Sequence, residues 1–426
     1  MILFIKCGII IVAKGVFLSL VKTKDQGARV LMIITIVADV LGEENNGTTI
    51  TIKRLINGLI ERGHTVKVVS PYKDEKSKNP KYYTVGVRSF GILNKYVAKN
   101  GVELGKPDKK IIEEAIKGSD VVHLELPFKM GKAAIKICKK LDIPFTTAFH
   151  CQPENFSSHL GLKNCKPFNE YLYWYYNHSF FRHAKFIHCP SEFIKSEIER
   201  HHYKAKKYAI SNGVIPTYAK HNVDKPKELK DKFCILFVGR YSKEKCHNVL
   251  IEAMKYSKYA DKIQLIFAGN GPLEEKIRKQ GAKLKNPPIM GFYTKEELSD
   301  IINYCDLYCH PSDIEIEAIS CIENLTCGKV PVICNSKRSA TRFFALDERS
   351  LFKPNDPKDL AKKLDYWIEH PEEKEEMGKK YEEYAKQFGI EISLDRMVGM
   401  FNDCVNEHKQ QKTAELKAKS AKTAKK

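Results

Sequence analysis

The stretch Phe233-Cys-Ile-Leu-Phe-Val238-Gly239-Arg240-Tyr-Ser-Lys243-Glu-Lys245 decides the fold. Its first six residues are all apolar with no polar alternation, the pattern of a strand buried on both faces of a parallel sheet. A glycine directly after the strand lets the backbone turn closely under a ligand. Arg240 and Lys245 can then set two cations on one phosphate group. Taken alone, such a turn is more often an ordinary surface loop.

The same alternation runs outward in both directions. Downstream strands are expected at Gln264–Ala268, Leu307–His310 and Val330–Cys334, with helices between them. Upstream, the apolar run Val30–Val37, the amphipathic helix Ile52–Arg62 stopped by Gly63, and the strand Thr65–Ser70 make a βαβ unit. Further strands fit Val121–Leu124, Phe145–Ala148 and Phe186–Cys189, and Ser191 reads as the N-cap of a helix over Glu192–Arg200. A Lys-rich segment with two prolines, 216–232, links the two series. Two successive βα series predict an α/β chain of two Rossmann-like, doubly wound domains, 29–215 and 233–408. Their ligand belongs in the cleft facing the carboxyl ends of the strands. Residues 409–426 form an Ala/Lys-rich tail, disordered or conditionally helical.

Residues 1–28 form an apolar extension. Met1–Val21 is interrupted by Lys6 and Lys14, and no run reaches the roughly 18–20 residues of a spanning helix. Its h-region is poorly formed and no small-x-small cleavage site follows. Two readings stay open: an interfacial anchor, or sequence upstream of the true start, since Met32 lies inside the first strand.

Composition narrows the class. With 43% hydrophobic and 29% charged residues in 426, disorder, collagen and a polytopic membrane protein are excluded. The net charge of +20 is uneven. Residues 1–220 carry 35 basic and 19 acidic groups, residues 221–408 carry 30 and 32, and the last 18 carry 7 and 1. One half and the tail therefore hold nearly all the positive charge, which speaks of a polyanionic partner, nucleic acid or an anionic membrane. Most of the thirteen cysteines stand in apolar surroundings, as reduced cytoplasmic thiols do. Cys305-x3-Cys309-His310 lacks the second ligand pair a zinc site needs, so no metal is expected.

Two more segments of the second series carry chemistry. Phe267-Ala-Gly269-Asn-Gly271-Pro272 is again a strand followed by a glycine turn, and a tight βα turn explains it as well as a ligand does. In His310-Pro-Ser-Asp-Ile-Glu315-Ile-Glu317-Ala318-Ile319-Ser-Cys-Ile-Glu323, two glutamates eight positions apart bracket an apolar stretch. Carboxylates there are costly unless they accept hydrogen bonds, and sugar hydroxyls supply donors.

Together and in this order, the Gly239-Arg240…Lys245 turn, the Gly269-x-Gly271-Pro272 turn and the Glu315, seven residues, Glu323 motif with its following Gly328 and Pro331-Val resemble the family 4 retaining glycosyltransferases of the GT-B fold. The resemblance covers roughly 29–400. It takes in Asn46-Gly47, Arg62-Gly-His64-Thr-Val, His150, Ser191 and Asn212-Gly213-Val214. It implies that Arg240 and Lys245 hold the donor diphosphate, with Gly239 beneath them, and that Glu323 takes the ribose hydroxyls. Glu315 would face the transferred hexose, helped by backbone amides around Glu317, Ala318 and Ile319. Gly47 would let the first-domain loop approach the phosphates, and His150 would line the sugar site. From its residues alone, His150 reads first as a hydrogen-bonded strand-end histidine. The family usually needs no metal or other cofactor for transfer. Three departures touch substrate choice: Ile316-Glu317-Ala318 in place of Pro-Phe-Gly, Ser339-Ala-Thr341-Arg342 in place of a Gly-Gly pair, and Ile215 in place of Asp. Glu317 thereby becomes a candidate sugar contact.

The acceptor is addressed by the first half. Phe168–Phe186 packs nine aromatics into nineteen residues, Trp174 among them, flanked by Lys163, Lys166, Arg182 and Lys185. Lys129, Lys132, Lys136, Lys139 and Lys140 form a basic cluster on an expected helix. Tyr and Trp favour the headgroup zone and Lys favours anionic lipid, while a buried aromatic core helix explains the same residues equally well. The whole chain is similar to bacterial diacylglycerol glucosyltransferases. That similarity implies a cytoplasmic enzyme, peripheral on the inner face of the membrane, moving glucose from UDP-glucose to a lipid acceptor. The alternatives are a soluble or polyprenyl-linked glycan acceptor, a non-catalytic lipid-binding relative, and a basic nucleic-acid-binding protein. The last is disfavoured, since no RNA module is present.

Overall fold

Apolar runs buried on both faces can satisfy their backbone only in parallel sheets covered by helices, and the chain builds two of these. The computed structural model describes residues 30–42, 47–73, 80–89, 91 and 104–423, so the extension 1–28 and Asn46 lie outside the described residues. Met1–Leu31 forms one unit, of which only Val30 and Leu31 are described, and Met32–Lys426 forms a second, compact one.

The first sheet consists of β1 (Ile33–Val37), β2 (Thr65–Ser70), β3 (Lys81–Thr84), β4 (Val121–Leu124), β5 (Phe145–Ala148), β6 (Phe186–Cys189) and β7 (Lys206–Ala209), in the order β3-β2-β1-β4-β5-β6-β7. The central strand β1 sets Ile34 beside both Val66 and Val121, in parallel register on each side. The order reverses between β1 and β4, which opens a crevice at the carboxyl ends of those strands. One face is covered by α1 (Gly47–Glu61). The other carries α2 (Lys109–Ile116), α3 (Lys129–Leu141), α5 (Lys166–Ser179) and α6 (Glu192–Arg200), while α4 (Pro153–His159) lies against α5. The Ser191 hydroxyl caps α6 by accepting from the Ile194 N–H.

The second sheet repeats the plan with β8 (Phe233–Val238), β9 (Ile263–Ala268), β10 (Ile289–Gly291), β11 (Leu307–His310), β12 (Pro331–Cys334) and β13 (Leu351–Phe352), ordered β10-β9-β8-β11-β12-β13. The switch point lies between β8 and β11, the two strands that lead into the Arg240 turn and the Glu315 motif. Its helices are α7 (His247–Ala253), α8 (Glu274–Gly281), α9 (Lys295–Tyr304), α10 (Ile319–Thr326), α11 (Pro357–Glu369) and α12 (Pro371–Ala385). Two doubly wound parallel sheets are therefore the architecture, as the alternating pattern implies.

The last helix, α13 (Ile390–Thr423), does not stay with the second sheet. It buries Leu394, Met397, Met400 and Phe401 against α1 and the strands β4 and β5 of the first sheet. From Lys409 the same helix continues, exposed, to Thr423. The chain thus passes between the sheets twice, and the passages lie side by side. Val214 N–H donates to Phe388 O at 2.9 Å, and Ile390 N–H donates to Val214 O at 2.9 Å. Gly213 adopts φ +82° there, and a Cβ on it would meet Ile390 Cα at 2.8 Å. Replacing Gly213 by Ala combines a left-handed strain with a backbone clash. Gly213→Ala is expected to lower the unfolding free energy by about 1–3 kcal/mol, read as a shifted midpoint in urea denaturation.

Candidate active site

The site begins where strands of the second sheet end. Gly239 and Gly269 close β8 and β9 with turns that touch: a Cβ on Gly269, whose φ is +152°, would lie 2.2 Å from Gly239 O. Only glycine permits that approach. The turn after β8 tightens over Lys243–Lys245 and aims Lys245 at the motif that follows β11. Lys245 Nζ lies 2.5 Å from Glu315 Oε1, and His310 Nε2 lies 3.0 Å from the same oxygen. Tyr308 OH, 2.7 Å from His310 Nδ1, holds the other edge of that ring. Burial alone would push the Glu315 carboxyl up. The Lys245 charge and the His310 contact overcome it and hold the group at about 2, so Glu315 stays ionised at every physiological pH.

Two residues on, the balance reverses. Glu317 is 2% exposed and accepts from Asn212 N–H at 3.1 Å and from Asn212 Nδ2 at 2.5 Å. Burial pushes it up to about 7, only partly offset by Ser211, Asn212 and Arg54. Its carboxyl group is therefore bonded to the first-domain segment leading to Gly213. Ala318 stands at φ +68°, ψ 74°, as the N-cap of α10. A left-handed conformation at an alanine costs about 1 kcal/mol, and this is where the resembled family has glycine. Ile319 then opens α10, which carries Glu323 one turn on.

Glu323 meets Arg54 of α1 across the cleft, with Nη2 2.9 Å from Oε1. Arg54 Nη1 donates to Gly213 O at 2.9 Å. Burial raises the Glu323 carboxyl and Arg54 counters it. Asp313, at the head of the same loop, is gripped by Lys163 Nζ at 2.8 Å and by Arg338 Nη2 at 2.7 Å, while Ser191 Oγ donates to Ile316 O at 2.6 Å.

On the first sheet, His150 follows β5 and is nearly enclosed, its Nε2 3.2 Å from Glu125 Oε2. His123 Nε2 lies 3.7 Å from Glu125 Oε1. Gly47 opens α1, and a Cβ there would meet nothing within 4 Å, so its packing does not demand glycine.

The structure thus places Gly239, Arg240, Lys245, Glu315, Glu317 and Ala318 on the loops after β8 and β11, and Ile319 and Glu323 on α10, which follows the second of them. His150 and Gly47 stand on the loops after β5 and β1 of the other sheet. The expected acceptor residues lie elsewhere. Trp174 is 57% exposed and, with Tyr171, Tyr175 and His178, forms one face of α5. Lys132 Nζ of α3 borders that face, 3.1 Å from Tyr175 OH, while Lys129 and Lys136 are exposed on the same helix. Arg182 is bonded to His178, and Lys185 pairs with Glu407 of α13 at 3.3 Å. Sequence reasoning missed Arg54, Glu125 and Asp313, and it set Lys163 beside the aromatic segment rather than on Asp313. Of these, Glu125 carried a signal, a carboxylate set directly after an apolar strand.

A family profile described as Glycosyl transferases group 1 matches residues 220–387, and one described as Glycosyltransferase Family 4 matches 45–218. The alpha-monoglucosyldiacylglycerol synthase of Acholeplasma laidlawii is 23% identical over 85% of this chain and 95% of that protein. Among solved structures, HepE of Anabaena, in complex with UDP and glucose, is 16% identical with a TM-score of 0.68, covering 87% of this chain and all of that one. The catalytic domain of the Helicobacter pylori cholesterol-alpha-glucosyltransferase is 48% identical over 37% of this chain and 98% of that one, with a TM-score of 0.36.

The opposite settings of Glu315 and Glu317 give a stability test. Glu317 binds its proton more tightly folded than unfolded, moving from 4.5 to about 7. Its stabilising contribution is complete below pH 4.5 and is lost as the pH rises through 7. Glu317→Gln cannot ionise. Its melting temperature should gain on that of the parent between pH 4.5 and 7.5, by on the order of 3 kcal/mol in stability, and the gap should then level off. A gap that stays constant over this range would contradict the assignment.

Proposed function

The chain belongs to the glycosyltransferases of the GT-B fold, and on that premise we propose that it moves a glucosyl unit from UDP-glucose to a hydroxyl of a membrane lipid such as diacylglycerol, with retention at the anomeric carbon. The observation that carries this reading is one chain holding both a closed cluster of donor-type charges and, on its basic half, an exposed aromatic face. Lys245 and Arg240 would receive the diphosphate and offset its charge as the bond to the sugar breaks. Glu315, ionised throughout, holds Lys245 in place before the donor arrives and would then accept from a hydroxyl of the hexose. Glu323 would take the ribose hydroxyls, which requires it to share or exchange Arg54. The acceptor hydroxyl would attack from the face the diphosphate leaves, alongside His150.

The lipid acceptor is supported by the surface of the first half. Phe156, Leu160, Leu162, Tyr171, Trp174 and Tyr175 are exposed within twenty residues of one another. The face formed by Tyr171, Trp174 and Tyr175, bordered by Lys132 and Arg182, fits the headgroup zone of an anionic bilayer. The relative from Acholeplasma laidlawii, named for the synthesis of glucosyldiacylglycerol, supports the same acceptor class. Among the described residues no helix is long and apolar enough to cross a membrane, and a peripheral position on the inner face of the membrane completes the proposal.

Lys245→Ala and Arg240→Ala should each lower transfer on the order of 10²-fold or more. A donor screen with vesicles carrying diacylglycerol or a sterol, followed by product mass and anomeric coupling, tests donor, acceptor and stereochemistry together. Near-normal turnover by either variant would remove the diphosphate assignment. Truncation after Glu407 deletes seven lysines. It should weaken sedimentation with phosphatidylglycerol vesicles about tenfold or more, at roughly 1 kcal/mol per lysine near the surface, and leave donor hydrolysis intact.

A further inference from the structure

Glu125 is a carboxylate without a conventional partner. It stands just past β4, at the crevice end of the first sheet, and is 1% exposed. Among the described residues no lysine or arginine makes an ion pair with it. Its nearest polar neighbours are imidazoles: His150 Nε2 at 3.2 Å from Oε2 and His123 Nε2 at 3.7 Å from Oε1, with His188 packed on His150 at 5.5 Å between ring centroids. A carboxylate taken this far from water is costly unless a positive group faces it. Burial pushes Glu125 up, and the surrounding histidines more than offset this and hold it below its ordinary value.

The other two rings are already committed. His188 Nε2 lies 2.7 Å from Ile210 O, so that nitrogen carries the hydrogen, and burial with the neighbouring rings holds the group down at about 3. His123 Nδ1 lies 2.7 Å from Thr146 Oγ1, and burial lowers this group as well. Both are neutral imidazoles at working pH. Neither Glu125 oxygen has a partner in good hydrogen-bond geometry, and the nitrogen left closest to answer its charge is His150 Nε2.

We infer that Glu125 is a positioning residue for the transfer reaction: its carboxylate fixes His150 with Nε2–H turned toward Oε2 and leaves Nδ1 as the edge available to the sugar. The inference rests on the reading of His150 as a sugar-site residue. A histidine whose tautomer and ring angle are set by a buried carboxylate reacts as one defined hydrogen-bonding group rather than two. Glu125 itself touches no substrate. Its role is to present the ring, so its loss should appear in turnover rather than in donor affinity.

The test compares Glu125→Gln, Glu125→Asp, His150→Ala and the double variant Glu125→Gln/His150→Ala in the full chain. Transfer kinetics, UDP-glucose affinity by calorimetry and the ¹⁵N shifts of the His150 ring are read for each. His150→Ala should lower kcat on the order of 10²-fold. Glu125→Gln should lower kcat by about tenfold or more with KM within about twofold, Glu125→Asp should recover part of that loss, and the double variant should be no slower than His150→Ala alone. The parent should show Nε2 protonated. Full activity of Glu125→Gln beside an impaired His150→Ala overturns the inference and spares the reading of His150. Full activity of His150→Ala overturns both. Should the glutamine variant fail to fold, a bare Nε2 in the parent spectrum still overturns the inference.

Discussion

A carboxylate removed from water must find a cation or several N–H donors, and the loop from Asp313 to Glu323 buries four of them. Each is answered differently. Asp313 takes Lys163 and Arg338, Glu315 takes Lys245 and His310, Glu317 takes Asn212, and Glu323 takes Arg54. Three of the four draw a partner from the first half of the chain. This loop is thus also a polar contact between the halves, and the cleft is held together in part by the carboxylates proposed to meet the donor. Neighbouring carboxylates are driven in opposite directions as a result: Glu315 to about 2 by a lysine, Glu317 to about 7 by burial beside neutral donors.

Most of the fold was legible because most strands are central. Thr65–Ser70, Val121–Leu124, Phe145–Ala148, Phe186–Cys189, Phe233–Val238 and Leu307–His310 are apolar or nearly so, and their extents are those the sequence suggests. The strands not foreseen, β3, β7, β10 and β13, sit away from the sheet centres. They are short, and Lys81-Tyr-Tyr-Thr84 and Lys206-Lys-Tyr-Ala209 mix charge with half-buried positions. They exist through their register on β2 and β6, which no local pattern encodes. The site divides the same way. Residues that follow a strand within a motif were found, whereas Arg54 lies inside a helix and acquires meaning only from Glu323, 269 positions away.

The aromatic segment carried two readings, a core helix or a lipid-facing one, and the structure buries one side of it and exposes the other. Tyr173, Tyr176, Phe180 and Phe181 are buried, and Tyr173 lies parallel to Phe149. Tyr171, Trp174 and Tyr175, at the i, i+3 and i+4 positions of a single face, stand outside. Composition cannot distinguish a uniformly aromatic helix from one divided this way, because phase rather than content separates its two sides. Lys163 of the loop just before α5 is itself bonded to Asp313, so the exposed face and the donor loop are joined by one short length of chain.

The course of α13 has a consequence for how the molecule is made. Leu394, Met397, Met400 and Phe401 complete the apolar layer over α1 and the first sheet. A nascent chain emerging from the ribosome has all seven strands of its first sheet long before it has the residues that cover one side of them. Domains made early ordinarily close early. Here the half translated first must wait, with the apolar cluster of α1 and the sheet lacking these four side chains, until the second half is nearly complete. The N-terminal half is the first to be synthesised and the last to be finished.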